Sequence, residues 1–467
     1  MKLTIYGAAQ TVTGSKYLLE INGQRLLLEC GLFQGKRSET YEYNLHFDFD
    51  PASIDAVILS HAHIDHSGNL PNLVKSGYSG PIYATDATRD LADIMLKDSG
   101  HIQEYDVQYV NKKRKRKGEP PVEPIYTQAD AARTIPLFKQ VPYETEFEPV
   151  PGVKAHFVDA GHILGSAAVV LNLTENGRTH RLWFSGDIGR PDKPLLRDPV
   201  FPTGQHVDTL LMECTYGDRP HDDINQAVAE IKDVVNRTVR RGGKVIIPAF
   251  SVGRTQTLVY YLNEMMSNGE IPKIPVFVDS PLAVSASEVY RRHPECYDAE
   301  TWAFISEHRH PALDFDQLTY THSVDESKAL NFRDDPMIII SASGMAEAGR
   351  ILHHIKNNID DERNTILIVS WQAPYTLGRR LADREKEVRI FGETYQRKAQ
   401  VETINGFSAH AGQGGLIEYA SSVAGQAQRI ILIHGEADAA GALQEKLKDV
   451  PNMPPIHFPK RKTSFEL

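Results

Sequence analysis

His61-Ala62-His63-Ile64-Asp65-His66 follows directly on the strand-like stretch Ala56-Val57-Ile58-Leu59. In an extended segment residues two apart share a face, so His61, His63 and Asp65 can converge, while His66 adds a ligand at the Ser67-Gly68 turn. As mere packing, such a cluster would leave several buried polar groups in need of partners. A divalent cation satisfies all of them and suits imidazole and carboxylate alike. The segment therefore reads as a metal site at the end of a strand.

Around it, short apolar or alternating runs recur between Gly, Asn and Asp turns: Lys16 to Ile21, Arg25 to Glu29, Ala155 to Val158, Ala167 to Leu173 and Arg181 to Phe184. This spacing predicts packed sheets, and helical patterns after Leu70 and around Ala87 to Lys97 predict flanking helices. From about Asp218 the rhythm changes to helices followed by Ile- and Val-rich strands: Ile224 to Arg241 then Lys244 to Ala249, Thr255 to Met266 then Val276 to Asp279, Gly349 to Ile359 then Thr365 to Ser370. That is the pattern of a parallel sheet of βα units. Short strands return at Val388 to Phe391, Gln400 to Asn405 and Arg429 to His434. The expected fold class is therefore α/β, with α+β open for the sandwich: a sheet sandwich flanked by helices over 1–216, a parallel-sheet insertion over 217–388, and completion of the first domain over 389–467.

With 467 residues, 41% hydrophobic and 24% charged, the chain is an ordinary globular one and too long for a single small binding module. Its apolar runs are strand-sized, which gives no expectation of a membrane partner, and Met1 to Gly7 reads as a first strand. Cys30, Cys214 and Cys296 stand far apart without CxxC spacing, so a reducing cytoplasm is the expected compartment. The net charge is −10, yet Lys112 to Lys117 is an unbroken run of six cations. Such a run is either a solvated loop or a place where RNA phosphates are captured.

HxHxDH resembles the signature of the metallo-β-lactamase fold, an αββα sandwich with a binuclear site between its sheets. On that resemblance, Gly161-His162-Ile163-Leu164-Gly165-Ser166 supplies His162, and Phe184-Ser185-Gly186-Asp187-Ile188-Gly189 supplies Asp187 as a bridging carboxylate. Glu213 in Leu211 to Gly217, His410 in Phe407-Ser408-Ala409-His410 and His434 in Ile433-His434-Gly435 resemble motifs A, B and C of the β-CASP ribonucleases. In that family a β-CASP domain interrupts the sandwich, as the rhythm above suggests here. The resemblance covers essentially the whole chain, and a histidine at motif C implies RNA rather than DNA. At Leu28-Glu29-Cys30-Gly31 the family usually has aspartate where this chain has Glu29, a position that supports the metals from behind a ligand.

The resemblance implies two zinc ions, with manganese or iron admitted by the same donors. His61, His63 and His162 would hold one, Asp65, His66 and His434 the other, with Asp187 between them. Asp65 would orient a hydroxide generated at the metals for attack on an RNA phosphodiester, leaving 5′-phosphate and 3′-hydroxyl ends, in endonucleolytic or exonucleolytic mode. His410, held by Glu213, would protonate the leaving oxygen. Ser408, Ser341, Ser343 and Arg254 are candidate contacts to backbone phosphates of single-stranded RNA. The resemblance also allows a homodimer. Rival expectations are a small-molecule hydrolase cleaving thioesters or lactones, and a non-catalytic RNA-binding subunit.

Overall fold

In the computed structural model every residue but Lys36, Arg309 and His310 is described, as are all side chains outside these and 37–39. The chain divides into two compact units: Met1–Pro191, Asp198–Pro220 and His410–Leu467 form the first, Asp192–Arg197 and His221–Ala409 the second.

The first unit contains two seven-stranded sheets. One runs in the order 464–466, 2–5, 17–21, 24–28, 56–58, 82–84, 138–140; the other runs 456–457, 429–433, 209–213, 178–184, 167–175, 153–159, 147–150. Strand alternation decides what each face meets. Leu182 and Phe184 enter a core shared with Leu3, Leu19, Leu26 and Ile58 of the other sheet. Trp183 between them points the opposite way, into a core with Leu416 and Tyr419 of the helix Gln413–Ser421 and Leu443 of the helix Ala437–Leu447. The Trp183 indole N–H donates to the Tyr419 hydroxyl at 2.6 Å, so its polar atom is satisfied inside that core. These layers form the sandwich expected from the sequence.

The second unit is built on a parallel six-stranded sheet in the order 318–320, 276–278, 338–341, 245–248, 365–368, 400–403. Its strands Val245–Pro248, Ile338–Ser341 and Thr365–Ile368 are wholly buried, as continuous apolar runs in a helix-covered parallel sheet should be.

Three expectations need correction. The return to the first domain comes at His410, not at 389. Gln400–Thr403 pairs in parallel with Thr365–Ile368, and Glu387–Ile390 makes a hairpin with Glu393–Gln396, so both belong to the insertion. A short alternating strand does not announce which sheet it will join. The second correction concerns the metal motif, which is not extended through Asp65: Ile64–Ser67 is one helical turn that carries both Asp65 and His66. The third concerns the basic run, which is no loop. It ends the helix Asp86–Lys117, where cations face the negative end of the helix dipole, and Gly118 closes it with φ +70°. No described helix is long and apolar enough to cross a membrane.

Candidate metal centre

The ligand types lie at strand ends and the loops after them, all within the first unit. His61 and His63 follow the strand Ala56–Ile58, and Asp65 and His66 follow in the helical turn. His162 lies beyond Val153–Asp159, Asp187 beyond Arg178–Phe184 and His434 beyond Arg429–Ile433.

His61, His63 and His162 group with Asp187, and Asp65, His66 and His434 form a second group that Asp187 also reaches. In the first, His63 Nδ1 lies 3.2 Å from both His61 Nε2 and His162 Nε2. Asp187 Oδ2 is 3.4 Å from His61 Nε2 and 3.5 Å from His162 Nε2. In the second, His66 Nε2 lies 3.1 Å from His434 Nε2, which is 3.4 Å from Asp65 Oδ2. The other oxygen of Asp187, Oδ1, is 3.2 Å from His66 Nε2. Tetrahedral ligation at roughly 2.0–2.1 Å sets donor atoms about 3.3 Å apart. Most of these spacings suit metal ligation by these donors; Asp65 Oδ2 stands farther off, 4.0 Å from His66 Nε2.

The hydrogen bonds behind the ligands fix their tautomers. Glu29 is fully buried at φ +63°; its Oε1 accepts the Ser60 amide at 2.6 Å and its Oε2 the Ser60 hydroxyl at 2.9 Å. Having spent its proton there, the Ser60 hydroxyl accepts from His61 Nδ1 at 3.0 Å. Glu29 Oε2 also takes His66 Nδ1 at 2.5 Å. On the far side, the Thr215 hydroxyl donates to the His434 carbonyl and accepts from His434 Nδ1 at 3.1 Å. The His61 and His434 rings thus present a bare Nε2 inward, the form that ligates, while the bond to Glu29 turns the Nε2 of His66 the same way. Ser60 and Thr215 were missed in the sequence; their only signal is position, directly before His61 and two residues after Glu213.

The electrostatics suit cations. Burial, reinforced by His61, pushes His63 down to about 3, and burial with His410 holds His162 well below its ordinary value, so both stay neutral. Burial opposes charge at His66 too, but Asp187, Asp65 and Glu29 outweigh it and hold that ring well above its ordinary value. The pocket thus stabilises positive charge at its centre. Asp187 Oδ1 is buried without a hydrogen-bond partner among the described residues, which is how a carboxylate oxygen meant for a metal presents itself.

His410 and Glu213 sit beside the second oxygen of Asp187. An antiparallel bridge between Gly189 and His410, with the Ala411 amide donating to Ile188 at 2.7 Å, holds the histidine in place. His410 Nδ1 donates to Glu213 Oε1 at 2.9 Å, and Nε2 lies 3.9 Å from Asp187 Oδ2. Glu213 is fully buried and also accepts the amides of Ile188 and Thr215. Burial would lower His410, but Glu213 and Asp187 outweigh it and raise the ring to about 9.

Ser341, Ser343, Arg254 and Ser408 all lie in the second unit. Ser341 is buried and donates to the Asp279 carbonyl at 2.6 Å, which commits its proton to the fold. Arg254 Nη1 donates to the Val369 carbonyl at 2.6 Å, and the Ser343 hydroxyl accepts the amides of Glu347 and Ala348.

Residues 11–249 match the metallo-beta-lactamase superfamily, 255–381 the Beta-Casp domain, and 394–454 the Zn-dependent metallo-hydrolase RNA specificity domain. The chain is 37% identical to Ribonuclease TTHA0252 of Thermus thermophilus over 447 residues, 96% of each chain. It is 30% identical to the transcription termination factor FttA of Methanosarcina mazei, over 96% of this chain and 69% of that one. A crystal structure of a protein of unknown function from Enterococcus faecalis V583 superposes with a TM-score of 0.58 over 100% of this chain and 99% of that one; at 13% identity the likeness is one of fold.

Proposed function

This chain belongs to the β-CASP ribonuclease family of the metallo-β-lactamase superfamily, and from that premise we propose that it uses two zinc ions to hydrolyse single-stranded RNA, leaving 5′-phosphate and 3′-hydroxyl ends. One observation carries the reading: the two oxygens of Asp187 face two separate groups of donors, three histidines on one side and Asp65, His66 and His434 on the other. Bound there, the ions would bring the pKa of a water to about 7 and offset charge at an attacked phosphorus.

The chain's own residues do the rest. Asp65 is the most accessible of the two carboxylates, its side chain 26% exposed against 2% for Asp187, and that suits it to orienting the attacking water. His410 is charged at neutral pH and tethered through Nδ1, so Nε2 is the atom that can hand a proton to the departing 3′ oxygen. Glu213 keeps that proton in place before reaction and turns the ring.

Product-end analysis tests this chemistry. RNA fragments released by the metal-loaded protein should be digested by a 5′-monophosphate-dependent exonuclease and accept ligation at their 3′-hydroxyls. Fragments with 2′,3′-cyclic phosphates would exclude attack by external water.

A further inference from the structure

We infer that Phe250, Trp371 and Tyr375 form a platform on which unpaired RNA bases stack, at the C-terminal ends of the insertion's central strands. The inference rests on the RNA-cleaving function proposed above. In the parallel sheet, strands 338–341, 276–278 and 318–320 lie on one side of Val245–Pro248, while 365–368 and 400–403 lie on the other. The winding direction reverses at this point, and in open α/β sheets the crevice outside the strand ends there is where ligands bind.

All three aromatics stand on loops that leave these strands. Phe250 follows Val245–Pro248, and Trp371 and Tyr375 follow Thr365–Ile368. They are 43%, 54% and 98% exposed; other exposed large side chains such as Phe332 and Tyr105 stand on segments other than the loops at these strand ends. The loops are tied together: a methyl group added at Gly344 would lie 3.0 Å from the Phe250 ring, and Gln372 Nε2 donates to the Gly344 and Ser370 carbonyls, both at 3.0 Å. Arg254 joins the same group through its bond to Val369, bringing a guanidinium that suits backbone phosphates.

Tyr375 carries the argument furthest. Its φ is +70°, a conformation that glycine adopts freely and a bulky side chain adopts at a cost. At 98% exposure its ring repays none of that cost by packing within the fold. Exposed rings on neighbouring loops that also carry an arginine suit single-stranded nucleic acid, since every base offers a π face. A protein partner would call for a contiguous apolar patch.

Steady-state cleavage by the metal-loaded full chain tests the platform, with a short single-stranded RNA and bis(p-nitrophenyl) phosphate as substrates. Trp371→Ala and Tyr375→Gly should each raise KM for RNA, by roughly 5- to 150-fold for a lost stack. Turnover of the small phosphodiester should not change, and Tyr375→Phe should behave as wild type. Because glycine accepts the backbone of position 375, Tyr375→Gly should melt at or above the wild-type temperature, which separates lost stacking from lost folding. Unchanged KM for RNA in both variants overturns the platform and leaves the ribonuclease standing. A changed oligomeric state with unchanged KM assigns the rings to a protein contact and overturns it as well. Failure of the wild type to cleave RNA overturns both.

Discussion

His410 Nδ1 lies 2.9 Å from Glu213 Oε1, although 197 positions separate the two residues in the chain. The carboxylate is fully buried at the end of the strand Thr209–Glu213, where its other bonds go to backbone amides that cannot move away. The histidine is therefore both aimed and charged by a fixed partner, and it is not needed to complete either group of metal donors.

His410→Ala should keep its metals and bind RNA, yet lose on the order of 10²- to 10⁴-fold in cleavage rate. A substrate with a nitrophenolate leaving group needs no proton at the departing oxygen and should recover much of that loss. Glu213→Gln should show the same pattern in milder form. Loss of metal from His410→Ala, or an equal defect on the activated substrate, would mark the ring as a ligand or a phosphate contact.

His434→Ala should fail differently. It removes a donor 3.1 Å from His66 Nε2, so metal content should fall together with RNA cleavage. Elemental analysis of the folded variant beside the wild type checks this.

Glu29→Gln replaces an acceptor of two hydrogen bonds at Oε2 with a group that cannot serve both Ser60 and His66 in the same way. His61 then loses its fixed tautomer, and His66 the carboxylate that orients it. Metal affinity should drop roughly 10- to 100-fold, measured by competition with a chromogenic chelator. Glu29→Asp should retain more affinity than Glu29→Gln.

The clustering of the candidate donors in the motif His61 to His66 was legible because they are adjacent and chemically alike. Assigning Asp65 to the His434 group was not legible from spacing alone, since one helical turn at Ile64–Ser67 swings it away from His61 and His63. Glu213 and His410 stood out only through resemblance, for no local pattern brings together residues on a strand end and a distant loop. Sheet membership was the other blind spot. Gln400–Thr403 has the same look as a strand of the sandwich, and only its pairing with Thr365–Ile368 assigns it to the insertion.

The insertion holds a buried carboxylate whose titration should be visible. Asp279 is fully buried and takes bonds from Arg350, His354, Ser327 and Thr321. Burial alone would raise its carboxyl, but those four donors outweigh burial and hold it below the ordinary range. Its stabilising effect is therefore complete above the unfolded value of about 3.9 and is lost as pH falls below it. Asp279→Asn should flatten the acid limb of thermal stability and cost about 3–5 kcal/mol near neutrality, read by calorimetry from pH 3 to 7.

Neutralising Lys112 to Lys117 tests whether the end of the helix Asp86–Lys117 captures RNA. If it does, the dependence of log K on log salt should become shallower by about 0.7 for each phosphate contact removed. An unchanged slope would leave the cations with partners inside the fold, such as the helix dipole and, for Arg114, Glu119 and the Pro120 carbonyl.

The central claim is that this chain cleaves RNA by means of metals held around Asp187. Protein stripped with chelator and then restored with zinc or manganese, incubated with end-labelled single-stranded RNA and the same sequence as DNA, tests it most directly. The account predicts no cleavage by the stripped protein, recovery at about two ions per chain, and RNA cut far faster than DNA. Protein carrying two ions per chain that leaves RNA intact would contradict it.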